Sequence, residues 1–445
     1  MFEKYDAYKD SGVEWLGEIP QNWEVKPLKY GAKIVLGKML CPEDKGGYFL
    51  KPYLKSKNIQ WLKVDISSVE KMWFSKKEMS LYQLQRGDLI LSEGGEVGKV
   101  CIWDNELEEC YIQNSAHKVS MSGSSDSKYH LYQMFAFGQR KLFDSIVNRV
   151  SIAHLTREKL SSIKFIFPNL SEQKQIVKFL DQKTSEIDQA IAIKEQQIAL
   201  LNERKQIVIQ KAVTQGLNSN VPMKDSGVEW IGEIPEYWNT ITKLKHIASL
   251  KGRQGWQGLK ADEYIDEGPY VVSSAHFDGL DINWDKCPHV SIERYKMDAH
   301  IQLNIGDILL MKDGAKMGKM AYISNLPDLA CLNSHLLLIR SLKTQDKFFF
   351  DSKYMLYFML SEKFQDYVQV KGTGTTFMGI SQESIGNFPI ALPSLYEQIQ
   401  IASFLDKRML ELEKGKDLLL TQIEKLKEYK TTLINDAVTG KIKVA

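Results

Sequence analysis

Residues 171–216 are SEQKQIVKFLDQKTSEIDQAIAIKEQQIALLNERKQIVIQKAVTQG, and residues 395–440 repeat their pattern as LYEQIQIASFLDKRMLELEKGKDLLLTQIEKLKEYKTTLINDAVTG. In both stretches apolar residues recur at alternating steps of four and three, the heptad pattern of a helix that packs on another helix. One narrow apolar stripe cannot be buried by a helix alone, so we expect the two helices to pair antiparallel within the chain. The residues expected in the paired seam are Leu180, Ile187, Ile191, Ile198, Leu201 and Val208, and Leu405, Leu412, Leu419, Ile423, Leu426 and Leu433.

Lysines interrupt this seam at Lys194, Lys205 and Lys430. Two explanations are open. The aliphatic stems can snorkel out of the interface and leave the charge in water. Alternatively, the charges fix the register, because a lysine on the seam penalises wrong alignments of the helices. Snorkelling is the simpler explanation and the one we prefer from the sequence.

A second repeat marks the start of each half of the chain. KDSGVEWLGEIPQNW at 9–23 returns as KDSGVEWIGEIPEYW at 224–238. Near-identity over this length indicates an internal duplication. The predicted organisation is a globular domain at 1–170, a helix at 171–216, a linker at 217–223, a second globular domain at 224–394, a helix at 395–440 and a tail at 441–445.

Within the globular parts, short β-rich runs are broken by Gly, Asn and Asp, and helical runs follow them, which predicts an α+β fold in each. The strand signals GDLIL at 87–91 and GDILL at 306–310 correspond, and Asn114-Ser115 and Asn333-Ser334 open a further matching strand. The fold class is therefore two α+β domains alternating with two long helices, related by a pseudo-twofold duplication.

The loops between these landmarks diverge. Residues 251–258 have no counterpart in the first half, and residues 148–152 stand opposite 373–377 with a different sequence. A repeated framework with different loops is typical of two domains that recognise two different targets. Drift after duplication explains divergence, but it does not explain why the divergence is confined between preserved landmarks.

Composition excludes several classes of protein. The chain has 445 residues, 43% of them apolar and 26% charged, with a net charge of +2, as expected of a folded protein whose basic surface is local. Its five cysteines contain no CxxC pair, which indicates reduced thiols and gives little support to a zinc site. The charged start MFEKYDAYKD is unlike a signal peptide, and no run approaches the roughly 20 apolar residues of a membrane span. We expect a cytoplasmic protein without metal.

Two glycine loops invite comparison with a phosphate-binding loop, but neither fits that motif. The first glycine of the motif is replaced by Glu93 and Asp313 in the two copies. The Gly-Lys pairs at 98–99 and 318–319 are then either tight turns or loops brought close to a DNA backbone. In the second case Lys99 and Lys319 would contact phosphates.

Signals of catalysis are weak. None of the twelve prolines is adjacent to another, so the Asn/Asp-Pro-Pro-aromatic site of a base-amine methyltransferase is absent. A nuclease could use Glu43-Asp44-Lys45, but this isolated triplet is better explained as a solvated turn. A self-sufficient methyltransferase or nuclease is therefore disfavoured. His117 and His335 follow the matching Asn-Ser pairs, which leaves a role at base edges open for them.

Taken together, SGVEWxGEIPxxW, the LxEQxxI start of each long helix and its AVTG-type end resemble the specificity subunit of type I restriction–modification systems. The resemblance implies two target recognition domains that each read half of a split site in double-stranded DNA. It implies that the helices act as a spacer and dock two modification subunits, which restriction subunits join. S-adenosylmethionine, ATP and magnesium would belong to those partners, so this non-catalytic chain would need no cofactor and no membrane.

The helix length agrees with that expectation, because about 33 residues span roughly 50 Å at about 1.5 Å per residue, more than one turn of DNA. Lysine and arginine in the loops would supply phosphate contacts. A coiled-coil adaptor without DNA is the alternative. The DNA-contact candidates are Lys99, Lys118, Arg149 and Arg157 in the first domain, and Arg253, Lys312, Lys316, Lys319 and Lys371 in the second.

Overall fold

The computed structural model describes residues 2–143, 154–238, 240–253, 259–297, 299–345, 347–374 and 378–444. The chain forms two compact units. The first comprises Met1–Glu195 with Leu420–Ala445, and the second comprises Gln196–Leu419. Each unit contains one globular part and a part of each long helix. None of the helices within the described ranges has the length and apolar character needed to cross a membrane.

The described α-helices are α1 (Lys76–Tyr82), α2 (Ser127–Gln139), α3 (Arg157–Ser162), α4 (Leu170–Gln215), α5 (Leu244–Ile247), α6 (Ile292–Met297), α7 (Ser352–Leu360), α8 (Glu362–Lys371), α9 (Gln382–Gly386) and α10 (Leu395–Val438). Short 3₁₀ turns span Leu28–Tyr30, Ser56–Asn58, Ala261–Glu263, Ser274–His276, Trp284–Lys286 and Ala299–Ile301. The starts of α2 and α7 are set by matching caps. Asp126 and Asp351 accept hydrogen bonds from the amides of Tyr129 and Tyr354, which satisfies donors that the helix leaves free.

The strands of the first unit are β1 (Tyr8–Asp10), β2 (Glu18–Pro20), β3 (Glu24–Pro27), β4 (Ala32–Leu36), β5 (Phe49–Leu54), β6 (Ile59–Gln60), β7 (Lys63–Val64), β8 (Glu70–Phe74), β9 (Leu89–Ser92), β10 (Val100–Ile102), β11 (Tyr111–Ile112), β12 (Ala116–Met121) and β13 (Lys164–Phe167). A four-stranded antiparallel sheet has the order β10-β9-β12-β4. A three-stranded sheet has the order β11-β5-β8, with β5 parallel to β11 and antiparallel to β8. The pairs β1-β2, β3-β13 and β6-β7 complete the unit.

The strands of the second unit are β14 (Met223–Asp225), β15 (Glu233–Pro235), β16 (Thr240–Lys243), β17 (Ala248–Gly252), β18 (Tyr264–Val272), β19 (Phe277–Asp278), β20 (Asp281–Ile282), β21 (His289–Val290), β22 (Ile308–Met311), β23 (Met320–Tyr322), β24 (Ala330–Leu332), β25 (Leu336–Ser341), β26 (Lys343–Thr344), β27 (Lys347–Phe348) and β28 (Pro389–Leu392). Its sheets β23-β22-β25-β17 and β24-β18-β21 repeat the orders of the first unit. The predicted α+β duplication is confirmed.

Each four-stranded sheet separates two hydrophobic cores. In β9 the side chains of Leu89 and Leu91 lie in the core that contains α2 and the long helices, whereas Ile90 lies in a smaller core against the three-stranded sheet. This division follows from the strand itself, because successive side chains point to opposite faces. The second unit divides β22 in the same way. A continuous apolar run such as LIL is therefore needed where both faces are covered.

The long helices α4 and α10 pair antiparallel, as the heptad pattern predicts. In the first unit Leu180, near the start of α4, shares a core with Leu433, near the end of α10. In the second unit Val208, near the end of α4, packs on the core that holds Leu405, near the start of α10. All twelve expected seam residues are buried or half-buried. Leu200, beside the seam, is 62% exposed.

The seam lysines extend to polar partners on the opposite helix. Each amino group has a polar partner across the seam within its own unit. The pairs are Lys194–Gln422 at 2.6 Å and Lys430–Asp188 at 2.7 Å in the first unit, and Lys205–Glu413 at 2.8 Å in the second. The amino groups thus leave the apolar seam for partly exposed partners at its margin, as the snorkelling interpretation expects. The same pairs also favour one alignment of the helices, so the register interpretation stays a prediction beside it.

Each globular part is fastened to its long helix by one repeated set of polar contacts, which we call the helix socket. Near the start of α4, Gln173 accepts a hydrogen bond from the amide of Asp126 at 2.8 Å. Farther along the helix, Asp181 accepts from the hydroxyl of Tyr132 at 2.8 Å and from the amino group of Lys128 at 2.7 Å. The corresponding residues of the second unit are Gln398, Asp351, Asp406, Tyr357 and Lys353.

Candidate nucleic-acid interface

In the second unit, four chain segments meet at one end of the four-stranded sheet. The amide of Lys312, just after β22, donates to the carbonyl of His335, just before β25, at 3.1 Å. The Lys312 carbonyl accepts from the amide of Ile380 at 2.8 Å. A Cβ added to Gly252, at the end of β17, would lie 3.9 Å from the Lys312 Cε. We call this surface the second loop edge.

Charged side chains concentrate at the second loop edge. The Nδ1 of His335 lies 2.6 Å from a carboxylate oxygen of Asp313, and the amino group of Lys312 lies 3.7 Å from the other oxygen. The His335 side chain is 51% exposed. A lysine suits a phosphate, whereas an imidazole and a carboxylate can hydrogen-bond base edges. The second loop edge therefore carries both kinds of contact group.

Two further candidate lysines stand on adjoining segments. Lys316 lies in the loop between β22 and β23, and Lys371 is the last residue of α8. These segments touch, because a Cβ on Gly372 would come within 2.5 Å of the Met317 side chain. Both lysines are exposed. The structure thus places Lys312, Lys316 and Lys371 on adjoining segments.

The first unit has a corresponding edge with different chemistry. The amide of Glu93 donates to the Ser115 carbonyl at 2.9 Å, and its carbonyl accepts from the Leu155 amide at 3.0 Å, as in the second unit. A Cβ on Gly37 would lie 2.3 Å from the Gln113 carbonyl oxygen, so only glycine fits there. This first loop edge presents a carboxylate and a hydroxyl, of Glu93 and Ser115, in place of the lysine and histidine.

The Asn-Ser pairs that match in sequence stand one position apart in the structure. The amides of Asn333 and Gln113 donate to the last residues of β18 and β5, which are equivalent strands. Asn333 therefore corresponds to Gln113, and His335 corresponds to Ser115. The predicted match is wrong by one residue, because it was based on the identical Asn-Ser residues and not on the register of the strands.

The same strand register shows that the two candidate histidines, His117 and His335, are not at equivalent positions. His117 is buried inside β12, and its Nε2 lies 2.6 Å from the carbonyl of Leu155. Burial lowers the pKa of His117, which keeps its ring neutral. A base-edge role for His117 is wrong, because no base can reach a ring covered by Leu155. His335 remains a candidate.

A carboxylate at the first loop edge has altered acidity. Burial raises the pKa of Glu93, opposed in part by the charge of His154. A half-buried carboxyl group close to the surface loses hydration at little further cost when a ligand covers it. Glu93 therefore suits a hydrogen bond from the exocyclic amine of a cytosine or adenine.

The two glycine loops are tight turns. Gly98 and Gly318 have φ angles of 85° and 92°, which favour glycine. In each loop the amide of the last strand residue donates to the carbonyl of the lysine, Lys99 or Lys319, at 2.8 Å. The turn explanation accounts for the glycines, and contact with a DNA backbone is not needed to explain them.

The lysines of these turns are half-buried and held by neighbours. The amino group of Lys99 lies 2.7 Å from Glu96 and donates to Gln60 at 3.1 Å. That of Lys319 donates to the Phe277 carbonyl at 3.4 Å. Their contact with phosphate stays a prediction that requires these bonds to open.

Two other candidates have roles inside their units. Lys118 is 7% exposed and donates to the carbonyls of Leu81 and Gln83 at 2.9 and 2.8 Å, and burial lowers its pKa. Arg253 is 3% exposed and donates to the Leu332 carbonyl at 3.1 Å. Neither cationic group reaches a DNA backbone from these positions, so we withdraw both as contact candidates.

Of the two remaining candidates, Arg157 lies within the described residues and Arg149 does not. Arg157 begins α3, is exposed, and lies 3.4 Å from the carboxylate of Glu158. Arg149 lies outside the described residues, as do the divergent residues 144–153, 254–258 and 375–377. In the described ranges, His, Cys, Asp and Glu side chains form no group of three that could hold a metal ion. All five cysteines are free and buried.

Sequence reasoning missed Glu93, Gln113, Asp313 and Ser115 as members of the loop edges. Glu93 and Asp313 were considered only for the failed phosphate motif. A positional signal was available, because each follows or precedes a buried strand of the four-stranded sheet by one to three residues. Polar residues at the ends of such strands are exposed together where the strands end at one edge.

The match to a known protein family covers most of the chain. A family profile for the type I restriction modification DNA specificity domain matches residues 20–203 and, a second time, residues 238–422. The chain belongs to this family. Each match of the DNA specificity domain begins near a KDSGVEW repeat and ends inside a long helix. The family's two domains in this chain thus correspond to the duplication seen in its fold.

Curated relatives agree over the full length. The chain is 26% identical to the putative type I restriction enzyme MjaX specificity subunit of Methanocaldococcus jannaschii, over 100% of this chain and 98% of the relative. It is 24% identical to the type I restriction enzyme MjaVIII specificity subunit of the same organism, over 96% and 94%. The duplicated specificity domains assign this chain to DNA specificity in a type I restriction–modification system.

Solved structures support the fold. A chain from work on complex assembly and conformational transition of the type I R-M system has a TM-score of 0.68 at 15% identity, covering 94% of this chain and 98% of that one. The HsdS subunit from Thermoanaerobacter tengcongensis has a TM-score of 0.52 at 14% identity, covering 95% and 98%. At these identities the similarity concerns the fold alone.

Proposed function

We propose that each globular part of this specificity subunit reads one half of a split, asymmetric site in double-stranded DNA. The observation that carries the proposal is the pair of loop edges on one repeated framework. Lys312 and His335 stand in the second unit where Glu93 and Ser115 stand in the first. Because each base pair presents its own pattern of donors and acceptors in the major groove, edges with different groups select different sequences.

In this proposal the chain is non-catalytic and works with partners. Two modification subunits dock on the paired long helices and supply methyl transfer, and restriction subunits join the complete complex in the cytoplasm. Support comes from large apolar side chains left exposed on those helices, since such exposure marks protein interfaces. In the second unit they include Leu200, Ile207, Leu410 and Leu418.

A domain exchange tests the function directly. Residues 24–168 are replaced by the matching segment of a relative with a known target, and the methylated sequence is mapped in a host that carries the modification subunit. One half-site should change, while the other half and the distance between them stay the same. Replacing residues 240–392 is the matched control and should change only the other half. A change in both halves, or in neither, contradicts the proposal.

The proposal that this chain is non-catalytic has its own test. The purified chain should transfer no methyl group from S-adenosylmethionine to target DNA, and adding the modification subunit should start the reaction. Methyl transfer by the chain alone, retained after repurification, would assign catalysis to this chain.

A further inference from the structure

The duplication places an aromatic residue at equivalent positions of the two long helices, Phe179 in α4 and Phe404 in α10. In the first unit the ring of Phe2 packs edge-on against Phe179, with centroids 5.5 Å apart and an interplanar angle of 88°. Edge-on contact is a preferred geometry of aromatic pairs. The chain's own N-terminal segment therefore covers this position in the first unit.

That segment is held by its backbone as well. The amide of Lys443 donates to the carbonyl of Glu3 at 2.8 Å, and the two residues form an antiparallel β-bridge. The hydroxyl of Tyr8 donates to the carbonyl of Gly440 at 3.0 Å. Two segments thus lie side by side beyond the end of α10, one from each end of the chain.

The second unit has a single segment at the corresponding place. Residues 217–222 leave the end of α4 and lead directly into β14, so one linker stands where the first unit has two segments. Beside it lies a cavity of about 440 Å³, within the roughly 300–1,000 Å³ typical of binding pockets. Its lining includes Val208, Lys211, Gly216, Met223, Glu233 and Phe404.

Six lining residues have equivalents in the first unit, and three of these, Tyr8, Gly440 and Phe179, belong to or contact the N-terminal segment, so the cavity corresponds to the surroundings of that segment. Leu217 of the linker, which precedes Met223 by as many residues as Phe2 precedes Tyr8, also lines the cavity. Phe404 is half-buried, lines the cavity and has the guanidinium of Arg408 at 5.6 Å from its ring centroid. The equivalent residues of the first unit are Leu433, Asp436, Gly440, Tyr8, Glu18 and Phe179.

We propose that this cavity binds an extended peptide segment of a partner protein, which places an aromatic side chain against Phe404 as Phe2 is placed against Phe179. The segment pairs with the backbone of the linker in the manner of Glu3 with Lys443, a recognised mode of strand addition. Lys211 is exposed and replaces an aspartate of the first unit, so an acidic residue beside the aromatic one fits the rim. A second copy of the chain is the less suitable occupant, because its Phe2 is already bound within its own first unit.

The probe is a fluorescent peptide with the sequence of residues 1–8, MFEKYDAY, titrated against the full chain by fluorescence polarisation. It should bind, and a probe with Phe2→Ala should bind about tenfold more weakly because it no longer buries the ring. Phe404→Ala in the chain should weaken binding to a similar extent. Lys211→Glu, an exposed change that spares the core, should weaken it in the same direction.

Phe179→Ala is the matched control and should leave probe binding unchanged. Loss of binding in Phe179→Ala but not in Phe404→Ala would mean that the probe displaces the chain's own N-terminal segment, which overturns the proposal. Equal binding of the Phe2→Ala probe also overturns it. If light scattering shows a dimer that Phe404→Ala dissociates, the occupant is a second copy and the partner assignment is wrong. The inference does not depend on DNA recognition.

Discussion

The amino group of Lys430 in α10 lies 2.7 Å from both carboxylate oxygens of Asp188 in α4. The lysine stands on the apolar seam and its side chain is 19% exposed, whereas Asp188 stands at the margin and is 58% exposed. A slip of one helix along the other would separate this pair and leave the lysine on the seam without a partner. The pair therefore favours one alignment of the helices.

Lys430→Glu should lower the free energy of unfolding by about 1 kcal/mol, because it replaces an attraction with a repulsion at a partly exposed site. Combining it with Asp188→Lys should restore most of the loss. The measurement is urea unfolding followed by circular dichroism. Lys427→Glu is the control, since Lys427 pairs with Glu424 on its own helix. If Lys430→Glu and the control lose equal free energy of unfolding, and the double variant recovers none of it, the Lys430–Asp188 pair does not fix the register.

Neighbouring leucines on α4 provide a test of the seam. Leu201→Asp should destabilise the chain by about 3 kcal/mol, because it places a charge in the helix interface. The Leu201 side chain lies 3.7 Å from the position of a Cβ on Gly415 of α10. Leu200→Asp, on the exposed side, should change stability by no more than about 0.5 kcal/mol. Thermal melts of the two variants that coincide would be incompatible with this seam.

The contrast between Leu200 and Leu201 shows what sequence could predict. Both are leucines, and only the alternating spacing of four and three assigns Leu201 to the seam and Leu200 to the surface. Helix pairing depends on this local periodicity, so the helices and their antiparallel arrangement were predictable. The duplication and the α+β class followed from repeated motifs in the same way.

The loop edges were less predictable, because contacts distant in sequence decide them. His117 is buried by the carbonyl of Leu155, which is 38 residues away. Lys118 is held by carbonyls 37 and 35 residues away, near α1. No local pattern signals such contacts. The exposure of Lys316, in a loop, and of Lys371, at the end of α8, follows from glycine-rich surroundings and a helix end, and their contact with DNA stays a prediction.

Lys316→Ala and Lys371→Ala should each weaken DNA binding by the assembled complex to a similar factor on all target sequences. Each should also reduce the slope of log affinity against log salt by about one, because one phosphate contact is lost. The measurement is a salt titration of binding by fluorescence anisotropy. Lys425→Ala, an exposed change on α10, is the control and should leave the slope unchanged. DNA binding that does not depend on salt, or no DNA binding at all, would support the alternative that the chain is a coiled-coil adaptor without DNA recognition.

His130 should make stability depend on pH. It is fully buried, and burial lowers its pKa to about 3. The folded chain therefore keeps the ring neutral, while the unfolded chain takes up a proton below its usual pKa of about 6.5. The contribution of the neutral ring to the free energy of unfolding is fully present above the unfolded pKa of about 6.5 and is lost as the pH falls towards 3. Between pH 7 and pH 5 the loss should be about 2 kcal/mol.

The second unit offers the control for His130, since Met355 is the equivalent residue and is also fully buried. His130→Met should fold and should unfold in urea with a smaller difference between pH 7 and pH 5 than the unchanged chain. His117, whose pKa burial also lowers, should account for part of the remaining dependence. An unchanged difference in His130→Met would show that the pKa of His130 is the same in the folded and unfolded chains.

The proximity of Glu3 and Lys443 predicts tolerance to circular permutation. A variant that joins residue 445 to residue 1 and opens near Val221, in the linker before β14, should fold and retain its melting temperature within a few degrees. Opening the same joined chain inside α7, after Leu356, is the control and should prevent folding, because it interrupts a buried helix. Equal loss of folded protein in both permutants would contradict the prediction.

The helix sockets have a consequence for inheritance. Because Gln173 and Gln398 hold their globular parts through the same contacts, a segment that carries the matching aspartate, tyrosine and lysine can make the same bonds to either helix. One recombination event between related genes could then import a complete recognition segment into an existing chain. If its apolar side chains also fit the helices, the product would fold and direct its partners to a new sequence, so a lineage could acquire a new specificity in a single generation instead of through successive point mutations.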